Sequence, residues 1–330
     1  MRTAIAFLVI GVVASGCSKK KRAPAGEPVA SAGSGSAAGS GAGSGSAGGG
    51  SASVAVAAQY DVKCVAGELE ACRSLAVLYT EGVGVAKDLG KAAALFGQAC
   101  NGGNLAACNQ VALALTEGMG VAKDPAKAVE VYQRTCEGGY QLACRNLGLM
   151  FRDGRGVPVD LERAAKLLDT ACNGRAPFAC TNAGDLDALR AGTGDAKTGA
   201  GAHFKQMVAH YKKGCDDGDP TSCRQMAIAY LEGRGLPASS SAASVWLDRG
   251  CRADDAVSCR VLGAMRVQGK GVAQDRELGM KLLARACDRR DAEACAFLKN
   301  LASGSGESRS TGSGPGSTGS GSRTGSNPPH

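Results

Sequence analysis

The sequence predicts an all-α protein, a solenoid of about six helix hairpins followed by a C-terminal capping helix. Three observations support this prediction. Cysteines occur in seven pairs, and seven residues separate the two members of each pair. The pairs recur with a period of 36 residues apart from one step of 43, and a Gly-x-Gly segment lies between most of them. A fixed period of this length is typical of repeat arrays, in which each unit contacts only its neighbours.

The N-terminal residues predict export and a lipid anchor. Arg2 precedes an apolar run over residues 3–13 that is too short for a stable membrane span, as is typical of an export signal. The end of this segment, Ser15-Gly16-Cys17, resembles the lipobox of bacterial lipoproteins, with Ala14 where Leu is usual. We therefore expect a signal peptide over residues 1–16 and lipidation of Cys17. A plain cleaved signal with an incidental cysteine is the alternative.

The cysteine count agrees with lipidation. Of the 15 cysteines, the seven pairs use all but Cys17, and an odd cysteine in an exported protein requires a separate role. Two or three acyl chains are enough for stable membrane attachment. In lipoproteins, a Ser such as Ser18 after the cysteine accompanies sorting to the outer membrane, and the basic residues 19–22 suit anionic head groups. We expect a lipid-anchored protein of a bacterial cell envelope, at the outer membrane and facing the periplasm.

Composition sets the expected domain boundaries. Residues 17–58 form the lipid anchor and an Ala/Gly/Ser tether, and residues 302–330 form a Gly/Ser/Thr/Pro tail; both are expected to be disordered. The folded domain is then expected over residues 59–301. Most of the formal net charge of +8 lies in the two flanks. Because the repeats are nearly balanced in charge, we expect no nucleic-acid binding.

The unit that starts at Cys100 shows how each hairpin is expected to form. Apolar residues recur at helical spacing on both sides of Gly118 and Gly120, which end the first helix and permit left-handed backbone. Asp124 is suited to cap the second helix, with Pro125 at its first position. Small residues recur at two fixed positions and should let the paired helices approach closely. They are Ala76, Ala112, Gly148, Gly184, Ala227 and Gly263 in the first helices, and Ala92, Ala128, Ala164, Ala243 and Gly279 in the second.

These units carry a family resemblance. The Gly-x-Gly-Val/Leu turn, the Asp cap and the Lys-Ala helix start resemble the Sel1-like repeat, a relative of the tetratricopeptide repeat. The paired cysteines resemble those of the Helicobacter cysteine-rich proteins, whose repeats are each closed by a disulfide. The resemblance covers about residues 62–301 and implies disulfide-closed Sel1-like repeats, with the capping helix beginning near Ala294. Members of that family are described as penicillin-binding or β-lactam-hydrolysing, so the resemblance also implies a β-lactam or cell-wall ligand as an alternative partner.

The paired cysteines are expected to form disulfides within each unit and not zinc sites. Zinc sites favour cysteines separated by two to four residues with a second pair nearby, whereas an oxidising periplasm favours bridges. Closing each small loop should contribute about 2.5 kcal/mol through chain entropy. No metal or cofactor is expected. The expected bridges are Cys64–Cys72, Cys100–Cys108, Cys136–Cys144, Cys172–Cys180, Cys215–Cys223, Cys251–Cys259 and Cys287–Cys295.

The fourth unit departs from the pattern. Asp187 and Arg190 stand where other units have an apolar residue and Gly, and the extra length lies near residues 191–202. Insertions in repeat arrays map to loops on one face, often the working face; a tolerated surface loop is the alternative. His203 and His210 lie seven residues apart on one helical face. Without a third ligand, we interpret them as solvated or half-buried helix residues.

The sequence shows no hydrolytic machinery. Serine β-lactamases use Ser-x-x-Lys, Ser-Asp-Asn and Lys-Thr-Gly on an α/β scaffold. Here Ser18-x-x-Lys21 lies in the tether, Lys197-Thr198-Gly199 lies in the insertion, and Ser-Asp-Asn is absent. We therefore expect no catalytic residue and a scaffold that binds a protein or an extended peptide in its groove. A β-lactam-binding or β-lactam-hydrolysing protein is the alternative, and a structural spacer of the envelope is a weaker one.

Overall fold

The computed structural model describes residues 49–193 and 200–304. Fourteen α-helices and no strand lie in these residues. The predicted signal peptide, Cys17, residues 17–48 of the tether, Lys197-Thr198-Gly199 and residues 305–330 lie outside them. The helices are α1 (Gly49–Val65), α2 (Leu69–Glu81), α3 (Leu89–Asn101), α4 (Leu105–Glu117), α5 (Pro125–Glu137), α6 (Gln141–Asp153), α7 (Leu161–Asn173), α8 (Ala179–Thr193), α9 (Ala200–Asp216), α10 (Pro220–Glu232), α11 (Ser240–Arg252), α12 (Ala256–Gln268), α13 (Arg276–Asp288) and α14 (Ala292–Gly304).

The helices stack as an array in which each packs mainly against its neighbours in sequence. Side chains also join every second helix. In the even-numbered helices, Asn146 Nδ2 of α6 donates to Asn109 Oδ1 of α4 over 3.0 Å. In the odd-numbered helices, an Arg163 guanidinium nitrogen of α7 donates to Gln133 Oε1 of α5 over 3.3 Å. The even-numbered and odd-numbered helices therefore form two layers, as expected for an α/α solenoid.

The helix ends follow the predicted signals. Asp124 accepts a hydrogen bond from the Lys127 backbone N–H at the start of α5, and Pro125 occupies the first turn. Gly118 ends α4 in the left-handed region with φ 79°. Because these residues recur in every unit except the fourth, most hairpins close in the same way. At the same position of the other hairpins the caps are Asp88, Asp160, Ser239 and Asp275, and the left-handed C-caps are Gly82, Gly154, Gly233 and Gly269.

The predicted close approach of the helices at small residues is confirmed. Ala112 of α4 and Ala128 of α5 are completely buried. A Cβ added at Gly148 of α6 would meet Leu168 Cγ of α7 at 2.9 Å. Larger side chains such as Tyr132 fill the remaining space. The thin core therefore relies on backbone proximity more than on large apolar residues.

The second glycine of each Gly-x-Gly turn packs directly against the backbone of the preceding odd-numbered helix. A Cβ at Gly120 would lie 2.0 Å from Leu89 O, at the start of α3. The same contact recurs at Gly84, where a Cβ would lie 2.1 Å from Ser53 O of α1. Helix α1 is therefore part of the array, in register with α3.

The predicted boundary of the tether at residue 58 needs correction. Helix α1 starts at Gly49, ten residues before the predicted start of the folded domain at residue 59. Burial explains why this segment is helical: Ala57 and Cys64 are each 3% exposed, and Tyr60 packs against the apolar cluster that contains Cys64. At the other end, α14 starts at Ala292 and extends to Gly304, past the predicted boundary at residue 301. None of the described helices is long and apolar enough to cross a membrane.

Candidate functional site

Seven disulfides join the predicted cysteine pairs, with Cα atoms 4.6–4.8 Å apart. Each bridge joins the end of an odd-numbered helix to the first turn of the next even-numbered helix, as Cys136 of α5 and Cys144 of α6 show. The helices joined by Gly-x-Gly turns share the more extensive contact. The bridges therefore reinforce the smaller of the two kinds of helix contact.

A ladder of polar side chains runs along the even-numbered helices. Thr181 Oγ1 of α8 donates to Asp219 Oδ2, the N-cap of α10, over 2.5 Å. Arg224 of α10 donates to Asp255, the N-cap of α12, over 2.5 Å, and Arg260 of α12 donates to Asp291 over 3.1 Å. These bonds connect side chains 31–38 residues apart and fix the spacing of successive repeats.

At α6 and α8 the ladder includes an exposed aromatic ring. Arg145 Nε donates to Asn182 Oδ1 over 2.7 Å, and its Nη1 lies 3.4 Å from Asn146 Oδ1. The guanidinium lies 6.0 Å from the ring centroid of Phe178, which is 48% exposed. We call Arg145, Asn146, Phe178 and Asn182 the Arg145 patch. Arginine and aromatic side chains such as phenylalanine are enriched at protein interfaces.

An open cleft of about 190 Å³ lies between α2, α3 and α4. Val77, Ala93, Phe96 and Ala114 line it with apolar surface, and Glu81 is its one ionisable lining residue. Such a cleft fits an apolar side chain of a partner, and its one hydroxyl, Thr80 Oγ1, donates to the Ala76 carbonyl of its own helix.

The fourth unit contains a second polar region, within the helix pair. Asp185, Asp187, Arg190, His203 and His210 belong to it, and we call α8 and α9 with these side chains the polar hairpin. One repeat earlier, the three α8 positions hold Leu149, Phe151 and Gly154. Asp187, Arg190 and His203 are all buried, so the departure from the repeat pattern reaches the interior of the hairpin.

The buried polar groups of this hairpin compensate one another. Asp187 faces two histidines of α9: its Oδ2 lies 2.8 Å from His210 Nδ1 and its Oδ1 lies 3.9 Å from His203 Nδ1. Arg190 pairs with Glu162 of α7, and Tyr211 donates to Asp185 over 2.7 Å. Burial, helped by the Asp185 hydrogen bond, raises the pKa of Tyr211. The hairpin exchanges apolar packing for paired charges and hydrogen bonds.

Two carboxylates hold His210 in its charged form. Burial lowers its pKa, but hydrogen bonds to Asp169 Oδ1 (3.1 Å from Nε2) and to Asp187 outweigh that effect and raise the pKa to about 9. Both ring nitrogens face carboxylates, which requires both to carry protons. The side chain of His210 is half-buried, as predicted. The prediction that His203 is solvated or half-buried is wrong: it is 1% exposed, because α9 extends one turn beyond the usual capping position and turns that residue inward.

The stability of the array should fall as pH rises above neutrality, because the folded-state pKa of His210 is raised. Its contribution is fully present below the unfolded pKa of about 6.5 and is lost as pH rises through about 9. Allowing for screening at the half-exposed Asp169, we expect a loss of about 2 kcal/mol. Urea unfolding at the two ends of this range measures it. His210→Leu, the residue found at Leu167 one repeat earlier, should remove this pH dependence; an unchanged dependence would contradict the assignment to His210.

No group of three His, Cys, Asp or Glu side chains within residues 49–193 and 200–304 has the arrangement of a metal site. In the structure, His203 and His210 both face Asp187. The sequence places the three residues in the same unit but did not predict a contact between them. The Arg145 patch was missed by sequence reasoning. The absence of Asp or Asn from the helix-start position at Ala176 is the signal in the sequence that could have drawn attention to it.

A model of the Sel1 repeat matches five segments of the chain, residues 69–104, 105–140, 141–174, 220–255 and 256–291. Together they cover more than half of the sequence and leave out the fourth unit. The boundaries of these segments fall between the two cysteines of a pair, so each bridge joins adjacent repeats. The sequence analysis began each unit at the first cysteine of a pair and therefore expected each bridge within one unit. The expected cysteine pairs are present, but each bridge lies at the junction of two repeats.

Solved structures resemble the array. The antigen c5321 of uropathogenic Escherichia coli, described as displaying an SLR fold, is 25% identical with a TM-score of 0.62, over 77% of this chain and 53% of that chain. A Sel1 repeat protein from Oxalobacter formigenes is 25% identical with a TM-score of 0.59, over 71% and 65%. The chain thus spans between half and two thirds of their lengths. Helicobacter pylori cysteine rich protein B is 21% identical with a TM-score of 0.34, over 42% and 96%. No curated protein matches the chain.

Proposed function

Because the chain belongs to the Sel1 repeat family, whose scaffold is suited to protein binding, we propose that it is a lipid-anchored envelope protein that binds a partner protein or an extended peptide. The observation that supports this proposal is the Arg145 patch on the even-numbered helices. It combines a fixed guanidinium, two amides and an exposed aromatic ring on one surface.

The energetics of the array favour binding of an extended partner. Bridges and ladder hydrogen bonds hold successive repeats in fixed spacing before any partner arrives. A preorganised surface loses little conformational entropy on binding, so more of the contact energy appears as affinity. The clefts between helices, such as the one lined by Val77 and Phe96, add apolar contacts beside the polar ladder.

We include the location of the protein in the cell envelope in this proposal. Seven disulfides suit an oxidising compartment. Cys17 is left over after the pairs are formed and follows an export-type segment. We expect palmitate labelling of the protein in its native host, and loss of the label in Cys17→Ala. Labelling that persists in the variant, or that is absent from the wild type, would contradict lipidation.

Partner binding can be assigned to one face of the array. Oxidised protein spanning residues 49–304 serves as bait against solubilised envelope proteins, with retained proteins quantified by mass spectrometry. The variant Phe178→Ser with Asn182→Ala alters the even-numbered layer, and Val245→Ser alters an exposed apolar residue of α11 in the other layer. We expect the first variant to lose the retained partner and the second to keep it. Equal retention by both would contradict binding through the Arg145 patch.

We also expect the protein to lack β-lactam hydrolysis, since Thr80, the one hydroxyl that lines the cleft between α2 and α4, donates to a backbone carbonyl and not to a base. Nitrocefin turnover by the full mature protein, including the insertion near residues 191–202, measures this directly. Hydrolysis above the buffer rate that is abolished by Lys197→Ala would establish the enzyme alternative and overturn the scaffold proposal.

A further inference from the structure

The polar ladder follows a register that Arg145 breaks. Arg224 bonds to Asp255 and Arg260 bonds to Asp291, and in both cases the carboxylate lies 31 residues after the arginine. Arg145 occupies the same position in α6, but the residue 31 positions later is Ala176. The carboxylate that neutralises Arg224 and Arg260 is therefore missing at this place. Arg73, the fourth arginine at this position, pairs instead with Glu70 three residues earlier, and Leu142 stands at that place before Arg145.

The guanidinium of Arg145 has no substitute counter-ion nearby. In the part of the chain that the structure describes, no carboxylate oxygen lies within 4 Å of it, and its hydrogen bonds go to the amide oxygens of Asn182 and Asn146. Burial lowers its pKa, and the charge of Arg152 adds to this effect, whereas the more distant Asp219 opposes it. Since an arginine stays protonated in proteins, the site holds a half-buried positive charge that an incoming anion would stabilise.

The start of α8 is altered at the same place. Asp219 and Asp255 accept backbone N–H hydrogen bonds at the starts of α10 and α12, but Ala176 has no side-chain acceptor. Helix α8 starts only at Ala179, after Phe178 with φ 58°. A positive φ is costly for a bulky residue. Here it accompanies a ring that is 48% exposed beside the unneutralised guanidinium.

We propose that Arg145, Asn182 and Phe178 form a binding site for a carboxylate of a partner peptide, with an apolar side chain of that peptide packed on the Phe178 ring. The proposal rests on the proposed function and specifies the partner chemistry. The guanidinium fork binds the carboxylate through charge-assisted hydrogen bonds. The carboxylate takes the role that Asp255 and Asp291 have in the neighbouring repeats. Both a C-terminal carboxylate and an Asp or Glu side chain supply this chemistry.

Small probes test the site directly. The Arg145 Nε–H resonance, assigned by its loss in Arg145→Gln, is followed by NMR in the oxidised protein. The probes are N-acetyl-leucine, its amide, and a capped tripeptide Leu-Asp-Leu whose only carboxylate is the Asp side chain. We expect a saturable shift with a carboxylate probe and none with the amide, and the tighter of the two carboxylate probes identifies the source. No saturable shift, or an equal shift with the amide, would overturn the proposal.

A pair of variants at residue 176 tests whether a carboxylate supplied by the chain itself competes with the probe. Ala176→Asp restores the residue type found at Asp255 and Asp291, and Ala176→Asn offers a similar side chain without charge. We expect Ala176→Asp to weaken binding of the carboxylate probe at least about tenfold while raising the thermal midpoint, and Ala176→Asn to bind as the wild type does. Equal binding by both variants would contradict the site. Arg145→Gln lacks the observed resonance, so its binding of the same carboxylate probe is measured by calorimetry, and binding as tight as that of the wild type would also contradict the site.

The two proposals can fail separately. If Ala176→Asp loses the probe but still retains the partner protein, the carboxylate site is real and the partner binds elsewhere on the scaffold. If Phe178→Ser with Asn182→Ala retains the partner and the wild type shows no probe binding, the Arg145 patch binds neither of them, and the carboxylate proposal is wrong. If the wild type retains no partner, the proposed function itself is wrong.

Discussion

Reduction of the seven disulfides is expected to unfold the array at room temperature. Each bridge closes a short loop and contributes about 2.5 kcal/mol by restricting the unfolded chain. The seven together exceed the 5–15 kcal/mol that a typical domain has in total. The core offers little compensation, because small residues such as Ala112 and Ala128 occupy the closest helix contacts. Far-UV circular dichroism with and without a phosphine reductant measures the loss of helix.

A single bridge serves as the graded control. Replacing Cys136 and Cys144 together by Ala removes the bridge between α5 and α6, and we expect a loss of about 2.5 kcal/mol in urea unfolding. Alkylation after reduction prevents bridges from reforming during the measurement. If the reduced and alkylated chain unfolded at the same urea concentration as the oxidised chain, the bridges would have no stabilising role.

Replacing Gly120 by Ala is expected to destabilise the array by about 3–5 kcal/mol, from backbone strain and overpacking combined. The residue has φ 73°, and an added Cβ would lie 2.0 Å from Leu89 O and 2.3 Å from its carbonyl carbon. These are backbone atoms, so relief requires moving the hairpin away from α3. Urea unfolding of the variant measures the cost.

Gly103→Ala separates the two causes. Gly103 has φ 98°, but none of the described atoms outside its immediate neighbours lies within 4 Å of an added Cβ. We expect a loss of about 1–2 kcal/mol, from the left-handed backbone alone. A loss at Gly120 no greater than the loss at Gly103 would show that contact between successive repeats does not limit the residue at that position.

The repeated features of the fold were predictable from the sequence because each rests on local chemistry. Asp124 and Pro125 start a helix, and Gly118 ends one, wherever they occur in this order. Helix α1 was not predictable from composition, since its Ala and Val residues continue the composition of the tether. Only Tyr60 and Cys64, one period before Phe96 and Cys100, indicate its register.

The polar regions could be predicted only in part. Asp187 and His210 replace apolar residues of the repeat, but their mutual hydrogen bond joins different helices and depends on the folded hairpin. His203 was expected to be solvated or half-buried because the sequence showed no third ligand for a metal site, and its burial depends on the extended start of α9. To recognise that Arg145 lacks a carboxylate partner, one needs the spacing of the polar ladder and the distances from the guanidinium to the nearby carboxylates. Both come from the structure.

The position of the bridges also governs how the chain responds to proteases. A backbone cut in the turn between Cys136 and Cys144 would leave the two halves covalently joined, because the bridge spans the turn. A cut in the Gly-x-Gly turn at Gly118 and Gly120 would divide the chain, because no bridge spans that turn. Those turns are also the places where Gly120 fits tightly against the α3 backbone. Protease resistance of the oxidised array should therefore depend on the fit of its glycine turns, while nicks at the cysteine turns appear as fragments only after reduction.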